Sequence, residues 1–121
     1  MAKNNDSKIE GVCRLKNVRG SAQKARLVAN MIRGKSFDDA FAFLSFSPLK
    51  ASKIMKKVLL AAQSSLQHDK GSDVDSSDMI IHELTVNEGR TLKRMRPRAR
   101  GRSARILKRS CHIELKLKEN V

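Results

Sequence analysis

The sequence predicts an α+β fold in which a small antiparallel sheet packs against three helices and a long basic β-hairpin protrudes from the sheet. Three observations predict it. Between residues 21 and 68, apolar side chains recur at three- and four-residue spacing. The segments 12–18, 79–89 and 111–118 alternate polar with apolar residues. Ten of the 26 Lys and Arg fall between 90 and 109, and no carboxylate lies between Glu88 and Glu114.

With 121 residues, 40% of them apolar, the chain has room for one modest core. It reads as an N-terminal extension, 1–11, followed by a single domain, 12–121. The opening "MAKNNDSKIE" has no apolar stretch of the signal-peptide kind. No window approaches the roughly eighteen apolar residues of a membrane span, so a cytoplasmic location is expected. Cys13 and Cys111 are expected to be reduced core residues.

The first alternating segment, "VCRLKNV", sets Cys13 and Leu15 against Arg14 and Lys16 and predicts a half-buried strand ended by "RGS". Ser21 is placed to cap a helix whose stripe is Ala25, Val28, Ala29 and Ile32 and which ends at Gly34. Arg26, Asn30 and Arg33 share its opposite face. Ser36 and Asp39 have capping-box spacing before a short helix with Phe37, Ala40, Phe41 and Leu44 on one side. Ser47 and Pro48 predict the N-cap and first position of a long helix running to about His68. Its stripe is Ala51, Ile54, Met55, Val58, Ala62 and Leu66, with Lys50, Lys53 and Lys57 on another side. "DKGSDVDSSD", 69–78, lacks periodicity and predicts an exposed connection. The last two strands carry Ile80, Leu84 and Val86, then Cys111, Ile113, Leu115 and Leu117, on their inner faces.

If those two strands pair antiparallel, the stretch between them must leave the sheet and return. An arm over about 88–110 would reach roughly 30–35 Å, about twice the ~14 Å radius of gyration of a globule of this length. Within it, "RMRPRARGR" (94–102) repeats arginine at every second position. In a strand, that spacing would aim five guanidinium groups to one side. With so few apolar residues, the arm is expected to be mobile until a partner orders it.

The charge is concentrated. The net charge is +14, and without residues 90–109 only 16 basic residues face 12 acidic ones. Such a run calls for a polyanion, and its dominance by arginine, whose fork pairs bidentately with phosphate and stacks on bases, favours RNA over lipid. A membrane-active protein would interleave more large apolar residues than Leu92, Met95, Ile106 and Leu107, so no membrane partner is expected. A DNA-groove reader would present base-reading side chains on a helix. All four Phe lie between 37 and 46 at helical spacing, so an aromatic RNA-stacking sheet is not expected either.

Enzyme chemistry finds no support. His68, His82, His112, Cys13 and Cys111 lack close ligand pairing, so no metal and no cofactor are expected. Cys111 and His112 face opposite ways in a strand, the carboxylates are scattered and no glycine-rich phosphate loop occurs. No small-molecule substrate is implied.

"SAQKARLVANMIRGK" (21–35) and "LKRMRPRARGRSARILKRSCHI" (92–113) together closely resemble the universal large-subunit ribosomal protein family numbered twenty-two, in its bacterial form. The resemblance covers about Val12 to Leu117. It implies a structural constituent of the large ribosomal subunit that binds the large-subunit (23S) rRNA and supports its assembly, beside neighbouring ribosomal proteins. The implied rRNA-binding residues are Arg19, Lys24, Arg26, Arg33, Lys35, Arg90, Lys93, Arg94, Arg96, Arg98, Arg100, Arg102, Arg105, Lys108, Arg109 and His112. The implied hairpin tip, Arg96, Pro97, Arg98, Ala99, Arg100, Gly101 and Arg102, would line the exit tunnel and meet the nascent peptide. Three residues depart from the family pattern: Arg90 stands in place of proline, Ser103 of alanine and Cys111 of a hydroxyl residue. The alternative is a non-ribosomal cationic RNA- or DNA-binding protein.

Overall fold

The computed structural model describes residues 10–69 and 78–119. Along the chain run β1 (Glu10–Arg19), α1 (Ala22–Ile32), α2 (Phe37–Phe46), α3 (Lys50–Asp69), β2 (Met79–Glu88), β3 (Leu92–Pro97), β4 (Ser103–Lys108) and β5 (Ser110–Glu119). β1 begins at Glu10, paired with Lys118, inside the segment expected to be an extension. The exposed connection expected at 69–78 falls mostly outside the described residues. Its ends are the close of α3 at Asp69 and an exposed Asp78.

The helices follow their apolar stripes. Ala25, Val28, Ala29 and Ile32 of α1 are buried, as are Phe37, Ala40 and Leu44 of α2 and Met55, Val58, Ala62 and Leu66 of α3. Leu59, which the expected stripe omitted, is buried with them. Ser21 stands at the N-cap of α1 without a side-chain capping bond. Ser36 Oγ accepts from the Asp39 N–H at 3.4 Å, as the capping-box spacing anticipates.

The expected start of α3 is displaced. Ser47 instead closes α2, its N–H donating to Phe43 O at 3.0 Å, and it is extended (ψ 133°) as a residue before proline prefers. Pro48 therefore lies in the connection, and α3 begins at Lys50.

β5 is central in a three-stranded antiparallel sheet of order β1-β5-β2. Cys13, Leu115 and Leu84 lie across one inner row. Both outer strands carry a bulge, between Leu15 and Val18 and between Ile81 and Glu83. An inserted residue moves every later side chain to the other face. Thus Met79 and Ile81 are buried together with Leu84 and Val86, while Ile80, expected inside, is half-buried. Cys13 is half-buried as well, and Cys111 is buried.

α3 packs on β1 and β5, and α1 on β2. Gly11 allows the closest approach: a Cβ there would overlap the Ala62 carbonyl and lie 2.6 Å from Leu66 Cβ. The free edge of β2 is covered. Its Ile81 N–H donates to Lys35 O, and its Leu84 and Val86 carbonyls accept from Arg33 and Arg26.

β3 and β4 form a second, two-stranded sheet. Its rungs are Leu92↔Lys108, Lys93↔Leu107, Arg94↔Ile106, Met95↔Arg105, Arg96↔Ala104 and Pro97↔Ser103. Each of the first five sets a cation against an apolar residue. No charge therefore faces a like charge directly, which lets strands this basic lie side by side.

Candidate nucleic-acid interface

The hairpin exposes its cations on every side. Arg94, Arg96 and Lys108 share one face of β3 and β4, and Lys93 and Arg105 share the other. All five side chains are exposed. Alternation stops at Pro97. Arg98, Arg100 and Arg102 belong to a five-residue tip, where the Arg98 N–H donates to Arg102 O at 2.6 Å and Ala99–Gly101 make a 3-10 turn. The five arginines from 94 to 102 consequently do not share a face, because the reversal falls among them.

Arg100 and Gly101 are both left-handed, with φ of 61° and 70°. Glycine takes that conformation without strain, whereas an arginine is held in it at a cost of about 1 kcal/mol. The two left-handed residues turn the chain and leave three guanidinium groups at its extremity.

A second concentration of charge lies at the root. Gly89 N–H donates to Ser110 O and Gly20 N–H to Arg109 O, at 2.9 and 3.0 Å, and Ser110 Oγ donates to Arg90 O at 2.5 Å. These bonds tie the departing and returning strands to the sheet. Between them opens a cleft of about 540 Å3, to which Arg19, Arg90, Lys108, Arg109, His112 and Asn17 contribute. A smaller concavity of about 270 Å3 shares Arg19, Lys108 and Arg109 and adds Lys50. Four cations converging on a cleft that no carboxylate lines make a place for phosphate oxygens.

His112 has a defined role in that cleft. Its Nδ1 accepts from the Asn17 N–H at 3.0 Å. The ring proton of the neutral imidazole must then sit on Nε2, which becomes a donor. Asn17 can aim its N–H this way because it is the left-handed residue (φ 59°) of the β1 bulge. Sequence reasoning missed Asn17. The available signal was an asparagine, the residue most tolerant of left-handed backbone, interrupting an alternating strand.

The other expected contacts are placed differently. Arg33 donates to Leu84 O at 2.7 and 3.2 Å and to Asn30 Oδ1 at 2.6 Å, and Arg26 donates to Val86 O at 3.1 Å. Both are fasteners between α1 and the edge of β2. Lys35 lies 5.3 Å over the Phe43 ring. Lys24, exposed on α1, borders an apolar concavity. The structure thus gathers Arg19, Arg90, Lys108, Arg109 and His112 at the root and Lys93, Arg94, Arg96, Arg98, Arg100, Arg102 and Arg105 on the hairpin. Lys24, Arg26, Arg33 and Lys35 are outside both groups. The ion pairs Arg14–Glu114 and Lys116–Glu83, the latter at 3.8 Å, belong to β1, β2 and β5.

Burial pushes the Cys13 and Cys111 thiols above their ordinary range, and at Cys111 the positive charge of Arg26 opposes the shift. Neither is primed as a nucleophile. No helix of the described residues is long and apolar enough to cross a membrane.

A family model described as ribosomal protein L22p/L17e matches residues 13–118. The match spans the three helices, the whole hairpin and all of the sheet but the start of β1 and the last residue of β5.

Proposed function

The chain belongs to the ribosomal protein L22p/L17e family, and on that premise we propose that it binds large-subunit rRNA through the hairpin and its root, supports folding of that RNA during assembly, and places the tip at the wall of the nascent-peptide tunnel. Family membership makes it a component of the large ribosomal subunit, with rRNA and other ribosomal proteins as partners. The finer reading rests on one observation above all: a two-stranded extension with its cations exposed on both faces, continuous with a basic cleft where it leaves the sheet.

The chemistry follows from that placement. Phosphates on opposite sides of the hairpin can be neutralised together, as in a cleft between RNA segments. The Arg fork adds bidentate pairing and stacking on unpaired bases. Arg19, Arg90, Lys108 and Arg109 grip phosphate at the root, and His112 Nε2–H supplies a directed donor to a phosphate or ribose oxygen. At the tip, Arg100 faces whatever occupies the space beyond the RNA, which in the subunit is the growing peptide.

Two measurements test this. Salt titration of binding to a large-subunit RNA fragment should give a log–log slope that falls by about 0.7–0.9 for each phosphate contact removed. Replacing residues 92–107 with Asn-Gly should flatten the slope by several such steps, and an unchanged slope would refute RNA binding by the hairpin. For the tunnel, a photoreactive residue at Ala99 in assembled subunits should crosslink to a stalled nascent chain. Crosslinks confined to rRNA would remove the tunnel assignment and leave RNA binding standing.

A further inference from the structure

An apolar groove on the helical side of the molecule adjoins the basic root of the hairpin, with Arg19 on their common border. It consists of two concavities that share Leu49. The first, of about 170 Å3, opens between α1, the start of α3 and the sheet, with the core residues Cys111 and Ile113 in its lining. The second, of about 610 Å3, lies where α1 meets the α2–α3 connection, between Met31, Phe43, Phe46 and Leu49. The rim is exposed to an unusual degree for apolar side chains: Phe46 by 88%, Leu27 by 57%, Met31 by 48% and Leu49 by 45%. Four such neighbours form a contiguous patch rather than scattered surface residues, the pattern of an interaction site.

The charges around it are one-sided. Arg19, Lys24 and Lys50 line the first concavity, and neither concavity has an Asp or Glu in its lining. We propose that the groove receives a segment of another large-subunit ribosomal protein. That segment carries two large apolar side chains, one for each concavity, and carboxylates at the end that meets Lys24 and Lys50. Large apolar anchors seated in pockets with a polar rim are how helical and extended segments gain affinity on a preformed groove.

The chemistry separates this occupant from the others. RNA could stack a base on Phe46, but Met31 and Leu49 beside it offer no group to hold a base edge, and the lining of the second concavity has no cation for a phosphate. A second copy of this chain would bring Arg19, Lys24 and Lys50 towards their own equivalents across a two-fold axis, on molecules already carrying +14 each. An acidic, apolar protein segment satisfies both halves of the groove. This inference rests on membership of the subunit and not on the hairpin reading, so either can fail alone.

The test uses assembled large subunits bearing a photoreactive phenylalanine analogue at Phe46, with the same residue at Leu27 in a second preparation and at the exposed Lys57 as control. The expected product at Phe46 and Leu27 is a crosslink to a ribosomal protein peptide with Asp or Glu within a few residues, at least about fivefold above the Lys57 yield. Lys24→Glu combined with Lys50→Glu should lower the Phe46 yield about threefold, the scale of two exposed ion pairs. Crosslinks to rRNA, to a second copy or to residues 1–9 of this chain would overturn the proposal. So would a yield no greater than at Lys57, or one that charge reversal leaves unchanged.

Discussion

Three residues carry more of this structure than their side chains suggest. Gly11 is the contact point of α3 on β1, where an added methyl group meets backbone rather than a flexible side-chain end. Gly11→Ala should therefore destabilise by about 1–3 kcal/mol, seen as a lower urea midpoint with an unchanged m-value. Asn17 turns a strand irregularity into the hydrogen bond that fixes the His112 tautomer, and it joins the fold to the basic cleft. Cys111, with Cys13, bears on pH. Both thiols are raised from the ordinary 9.0, so above that pH the unfolded chain loses protons that the folded chain retains. Stability should be fully present below about pH 9 and fall as pH rises towards the folded values. The decline should be shallower in a Cys13→Ala/Cys111→Ala variant, and chemical unfolding at pH 8, 9 and 10 compares the two slopes.

The elements were legible in the sequence to different depths, for physical reasons. The α1 stripe survived intact because a helix face is set by local spacing alone. Ile80 was misplaced because a bulge after Ile81 changes parity, and a bulge is fixed by pairing with β5 rather than by β2 itself. Pro48 misled because its neighbour Ser47 was already committed to ending α2. In the site, the concentration of charge could be read directly. The wrapping of that charge around two faces could not, since it depends on where the reversal falls among Arg98, Arg100 and Arg102. That Arg26 and Arg33 also fasten α1 to carbonyls of β2 could not be read, because backbone acceptors leave no trace in a side-chain pattern. The hairpin itself contributes no buried apolar side chain to the core. Replacing residues 92–107 with an Asn-Gly turn should therefore leave a cooperative thermal unfolding transition within a few degrees of the wild type, measured by circular dichroism.

The whole molecule divides its labour: a nearly balanced α+β body holds a strongly cationic extension at one end. Binding to RNA should accordingly be steep in salt through the extension and directional through its arginines. Arg98→Lys keeps the charge but loses the planar fork, so it should leave the salt slope unchanged and weaken binding to a large-subunit RNA fragment by about 1 kcal/mol. Equal affinity at every salt concentration would reduce the tip to point charge. The alternation of cation and apolar residue along β3 and β4 has a further effect, on the chain before it meets RNA. Sliding the strands by one residue one way would set Lys93 opposite Lys108 and Arg96 opposite Arg105, and the other way Arg94 opposite Arg105. Sliding by two would confront Arg94 with Lys108, or Lys93 with Arg105. Every nearby misalignment thus meets at least one head-on repulsion that the native alignment avoids. With no hydrophobic core to say which rung is which, the hairpin proofreads its own pairing by mutual repulsion, and its alignment is chosen before any partner arrives.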